Sequence, residues 1–153
     1  MKVGEALSLL KKERSRLARL ISLRKENIFV LEGEKSPFNP EELSSQIDKK
    51  IDEIRELKIK IQKTNMNFKI SGEDITLAEA ILKIGDIRSK MSSLSRLFED
   101  KRDSWSFRDK DEKKRVSQLD EQKIEDELEK LEIEKAQLDN RIQMANWTIQ
   151  LTD

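Results

Sequence analysis

Apolar residues recur along most of this chain in steps of three and four, separated by charged positions, and that period predicts helices. The first predicted helix covers about residues 2–25, with Val3, Leu7, Leu10, Leu17 and Ile21 on one stripe and Ala6, Ala18 and Leu20 widening it. Arg14 falls between Leu10 and Leu17 on the same stripe. A second helix, about 40–64, opens on Asn39 as N-cap and Pro40 at the first helical position, with Glu41 and Glu42 at the positive end of its dipole. Its seam is Leu43, Ile47, Ile51 or Lys50, Ile54, Leu57 and Ile61. A third, about 76–103, begins with the capping box Thr76-Leu77-Ala78-Glu79. Its stripe reads Leu77, Ile81, Ile84, Arg88, Met91, Leu94 or Ser95, and Phe98. The fourth, about 118–151, carries the clearest pattern: Ile124, Leu128, Leu131, Lys135, Leu138, Ile142, Ala145 and Ile149. Steps of four and three without a break predict a left-handed coiled-coil seam.

Two interruptions break the helical period. Ile28-Phe29-Val30-Leu31 is β-rich and leads into a turn around Gly33, and Phe68-Lys69-Ile70 alternates before Ser71-Gly72-Glu73-Asp74. Short strands need a partner, so these two pieces are expected to pair as a small ribbon at one end. Residues 104–116 read as a flexible, charged connection with Trp105 and Phe107 embedded. The expected fold is therefore all-α: one domain, an antiparallel four-helix bundle of coiled-coil hairpins.

Composition narrows the chemistry. Of 153 residues, 35% are hydrophobic and 41% charged, which suits elongated helices with narrow seams rather than a thick core. Cysteine and histidine are absent, which removes the thiolate nucleophile, the thiolate zinc site and the commonest general base. The acidic runs Glu125-Asp126-Glu127 and Glu132/Glu134 populate a helix face without a base or pocket beside them. No enzyme activity, cofactor or metal site is expected. Met1–Ala6 lacks the charged-then-apolar order of a signal peptide and no run spans a bilayer, so a cytoplasmic protein is expected.

Charge divides unevenly along a chain of zero net charge. Residues 1–25 hold eight basic and two acidic side chains, and residues 119–153 hold four basic and ten acidic ones. Lys11, Lys12, Arg16 and Arg19 on the first helix are candidate contacts for nucleic acid or an anionic lipid surface. The plainer expectation is that the acidic fourth helix neutralises them. Arg14 and Lys135 either form an inward anion site or fix register by pairing with a facing carboxylate. Trp147 is either a contact anchor or a core residue closing one bundle end, with Asn65 and Asn146 capping backbone groups. Trp105 and Phe107 either face a partner or fold back on a satellite cluster.

The segment Leu138-Asp139-Asn140-Arg141-Ile142-Gln143-Met144-Ala145-Asn146-Trp147-Thr148 resembles the ending of a small family of bacterial and archaeal proteins labelled septicolysin-like. Glu32-Gly33-Glu34 before Pro40, Thr64-Asn65, and Gly72 with Thr76-Leu77 and Ala80 are similar landmarks, whereas Lys60-Ile61-Gln62-Lys63 departs from the family pattern. The resemblance implies a membrane-active lysin. The residues favour a structural or interaction protein that forms a homo-oligomer, with nucleic-acid binding through the first helix as the alternative.

Overall fold

The computed structural model describes residues 1–99 and 116–152. It contains four helices: α1 (Val3–Glu26), α2 (Pro40–Asn67), α3 (Leu77–Ser95) and α4 (Glu121–Thr148). The helices begin where side chains satisfy free N–H groups. Asn39 Oδ1 accepts from the N–H of Glu41 at 2.9 Å, and Asp120 Oδ1 from that of Gln122 at 3.0 Å. At Thr76 the box is reciprocal: Glu79 N–H donates to Thr76 Oγ1 at 3.1 Å, and Thr76 N–H to the Glu79 carboxylate at 2.6 Å. α3 stops at Ser95 and turns over 96–98, short of the expected end near 103. Residues 100–103 and the connection at 104–115, with Trp105 and Phe107, lie outside the described residues.

α1 pairs with α2 and α3 with α4 as antiparallel hairpins, and the contacts between hairpins are less extensive. Each hairpin has its own apolar core. One holds Ala6, Leu10, Ile54 and Ile61, with Leu17 and Leu57 against them; the other holds Leu77, Ala80, Ile84, Ile87, Leu131, Leu138, Ile142 and Ala145. The α4 seam follows the expected positions. In α1 and α3 the phase differs: α1 buries Val3, Ala6, Leu10 and Glu13, leaving Leu7 and Ile21 exposed, while α3 buries Ala80 and Ile87 and exposes Ile81 and Arg88. Both phases have heptad spacing, and small Ala6 and Ala80 let the backbones approach.

The ribbon between residues 28–31 and 68–70 does not form. Residues 28–31 are extended and open to solvent, with Phe29 90% exposed. Phe68–Ile70 instead turns back on the next few residues. Lys69 bridges Thr76, Ile70 N–H donates to the Ile75 carbonyl at 3.1 Å, and Leu77 N–H to the Phe68 carbonyl at 2.8 Å. Gly72, at φ +85°, supplies the left-handed residue this tight return needs. Local pairing closes a short loop and places Ile70 in the α3/α4 core, whereas the expected ribbon would have had to close across the whole of α2.

The two hairpins are tied by the segment after α4. Lys2 bridges Gln150, Val3 N–H donates to the Ile149 carbonyl at 3.1 Å, and Leu151 N–H to the Met1 carbonyl at 2.8 Å. Leu151 packs on the α1/α2 core. Thr152 N–H donates to Thr64 Oγ1 at 3.0 Å, and Thr64 is fully buried near the end of α2. The start of α1, the end of α2 and the end of α4 thus meet at one end of the molecule.

Candidate functional site

Inside the α1/α2 seam sits one ion cluster. Glu13 is buried at a position where a heptad expects an apolar residue. Its carboxylate meets Lys50 Nζ at 2.8 Å and Arg16 at 2.7 Å, and Lys50 also meets Glu53 at 2.5 Å. The Lys50 ammonium beside it holds the Glu13 carboxyl below its ordinary value, and the Glu13 and Glu53 carboxylates raise Lys50. A buried ion pair does lie in a seam, between Glu13 and Lys50 rather than at Arg14 or Lys135. Arg14 is exposed on the surface and is no seam residue. Lys135 does lie on the α4 seam, half-buried between Leu131 and Leu138, and has no carboxylate partner among the described residues. The signal that could have identified Glu13 is its spacing of three from Leu10 and seven from Ala6.

At the tied end, Asn146 and Trp147 meet Gly4 of α1, and Asn65 lies near the end of α2. A side chain added at Gly4 would lie 3.1 Å from the Asn146 carbonyl oxygen and 3.1 Å from the Trp147 ring, so Gly4 lets α1 and α4 approach. Trp147 covers this contact with one face and stays 52% exposed, so it is not a core residue. Asn146 is buried. Asn65 caps nothing: its Oδ1 is buried without a hydrogen-bond partner, and the residue capping α2 is Phe68, whose N–H donates to the Thr64 carbonyl.

No ion pair joins α1 to α4 among the described residues, so the expected neutralisation does not occur there. Three acids of α4 turn to α3: Glu127 pairs with Lys90 at 2.7 Å and Glu134 with Lys83 at 3.5 Å, while Asp139 lies 4.0 Å from Arg88. Arg141 completes this α3/α4 side by meeting Glu73 at 2.7 Å. Lys11, Lys12, Arg14, Arg19 and Lys25 have no carboxylate partner among the described residues; Arg16 is held by Glu13. Shallow grooves run along α1, one lined by Leu7, Leu10, Lys11, Arg14 and Ala18 and one by Lys11, Lys12, Arg16 and Arg19. No group of three or more metal-ligating side chains occurs among the described residues, and no helix there is long and apolar enough to cross a membrane.

The chain leaves much of itself bare. It presents 12485 Å² of accessible surface, against about 8,000 Å² for a close-packed monomer of its mass. Even a fully extended 100–115 would account for no more than roughly 3,000 Å² of this, which leaves the remainder about 30% above the roughly 7,400 Å² expected of a compact chain of the other residues. The hairpin tip adds exposed Ile28, Phe29, Val30, Leu31 and Phe38.

Among proteins of known structure, the chain is similar to a functionally unknown conserved protein from Corynebacterium diphtheriae whose crystal structure is known. The two are 27% identical, with a TM-score of 0.83 and 99% of each chain covered. No curated protein matches the sequence. The likeness to septicolysin-like proteins is corrected by the family that does match, and the lysin it implied goes with it. That match spans residues 11–151, so the chain belongs to a family of unknown function, DUF6847.

Proposed function

We propose that this is a non-enzymatic interaction protein that self-assembles through helical faces the single chain leaves bare. The observation that carries the reading is the surplus of accessible surface over a compact monomer. Two-helix cores are thin, and association is the common way such chains gain buried area. The apolar hairpin tip and the second stripe of α1, with Leu7 and Ile21 exposed, supply area for it. Light scattering after size-exclusion chromatography tests the reading. A discrete oligomer at micromolar concentration is expected, and the mass of a single chain at both low and high salt would refute it.

Nucleic-acid binding through α1 is the second reading, favoured by the unpaired Lys11, Lys12 and Arg19 beside Arg16. It predicts binding of a short duplex that weakens steeply with salt. No binding at low salt would end it.

A further inference from the structure

α1 and α4 each carry a second stripe beside their core seams. On α1 it runs Gly4, Leu7, Lys11, Arg14, Ala18, Ile21 and Lys25, in steps of three and four. On α4 it runs Glu125, Glu129, Glu132, Ala136, Asp139, Gln143 and Asn146, with the same spacing. One stripe is basic and apolar, the other acidic. Within the chain they meet at one end, where Gly4 lies against Asn146 and Trp147. Beyond that contact Leu7, Lys11, Arg14, Ala18, Ile21 and Lys25 are exposed, and so are Glu125, Glu129, Glu132 and Ala136. Lys11, Arg14 and Lys25 lack carboxylate partners among the described residues, and Glu125, Glu129 and Glu132 lack cationic ones.

We infer that the occupant of each stripe is a second copy of this chain. The basic α1 stripe of one copy lies on the acidic α4 stripe of the other, and the reverse contact forms at the same time. The inference rests on the self-assembly reading above and names its surface. Reciprocal contacts of this kind close under two-fold symmetry and leave no open end for fibres. Opposite charges flanking an apolar line select the partner helix, as they do in coiled coils. A helix face about 32 Å long and 10–12 Å wide covers roughly 350 Å². Two such strips per copy give about 1,400 Å² in total, within the range of specific dimers. A polyanion would match the basic stripe but leave the acidic one unexplained.

The test is a charge swap. One variant carries Lys11→Glu, Arg14→Glu and Lys25→Glu; the other carries Glu125→Lys, Glu129→Lys and Glu132→Lys. Circular dichroism checks that each keeps its helix content. The wild type is expected to dimerise, more weakly as salt rises from about 0.05 to about 0.5 M. Each variant alone should dimerise roughly 100-fold more weakly, because like charges then face one another. An equimolar mixture should recover the dimer, both strips being complementary again. A second readout tolerates poorly folded variants. The chain has no cysteine, so Ala18→Cys mixed with Ala136→Cys should give a disulfide-linked heterodimer under mild oxidation, in excess over either variant's own homodimer. A wild-type oligomer indifferent to both swaps and to the cysteine pair would overturn this interface while leaving self-assembly standing. A monomeric wild type would overturn both, and a monomer that binds duplex through the basic stripe would assign that stripe to a polyanion instead.

Discussion

Replacing Leu138 with alanine measures how much the α3/α4 core holds. Leu138 is 2% exposed at the centre of the α4 seam, among Leu131, Ile142 and residues of α3. The substitution removes three buried carbons, a transfer loss of about 2.4 kcal/mol at about 0.8 kcal/mol each. An unfilled cavity adds to that, as in large-to-small core substitutions that cost about 2–5 kcal/mol. A hairpin core two helices thick collapses more readily than a globular one, so the expected total is about 3 kcal/mol. At roughly 2–4 °C per kcal/mol for a chain this size, the melting temperature should fall by about 6–12 °C. Urea unfolding followed at 222 nm gives the free energy, at several protein concentrations so that association is separated from folding. Ile54→Ala, in the other core, should cost a comparable amount, and the double variant should lose the sum within about 0.5 kcal/mol, since the two cores share no buried residue. A loss below about 1 kcal/mol for Leu138→Ala would refute the buried seam, and strong non-additivity would refute the division into two cores.

Acid titration of stability should show Glu13. Its folded value is depressed below 4.5, so its contribution is present above that pH and fades as pH falls through the folded value. Lys50 is raised above 10.5, so its contribution is complete below that pH and is lost in strong base. Glu13→Gln should flatten the part of the acid slope below pH 4.5, and an unchanged slope would count against the pair. Thr64→Val should cost about 1–2 kcal/mol by stranding the Thr152 N–H, which now donates to Thr64 Oγ1. Faster exchange of the Leu151 amide in hydrogen-exchange NMR would show the C-terminal tie loosening; unchanged protection and stability would argue against it. Gly4→Ala, ordinarily worth up to about 1 kcal/mol in a helix interior, should destabilise here because its Cβ meets a backbone carbonyl 3.1 Å away. In a Trp105→Phe background it should also shift Trp147 emission to the red, and a more stable variant with unchanged emission would contradict the close approach.

The sequence by itself determined the local elements. Helix starts at Pro40 and Leu77 were legible because Asn39 and the Thr76/Glu79 box satisfy N–H groups only a few residues away. The α4 seam was legible because seven successive steps of four and three leave a single face for burial. The all-α class and the thin cores followed from the same spacing and from the charge content. Tertiary structure decided which of two heptad phases is buried in α1 and α3. Leu7 or Ala6, and Ile81 or Ala80, serve equally as sequence patterns, and only the partner helix selects between them. Glu13 entered a core position because Lys50 faces it across the seam, a pairing that sequence distance hides. The return of Phe68–Ile70 on its own loop, and the tie from Thr152 to Thr64, were likewise settled by geometry. So was the destination of the acidic α4 face. Charge sums made α1 its natural partner, but charge attracts without direction, whereas packed apolar seams fix which helices lie together; those seams gave α4 to α3 and left the basic stripe of α1 open.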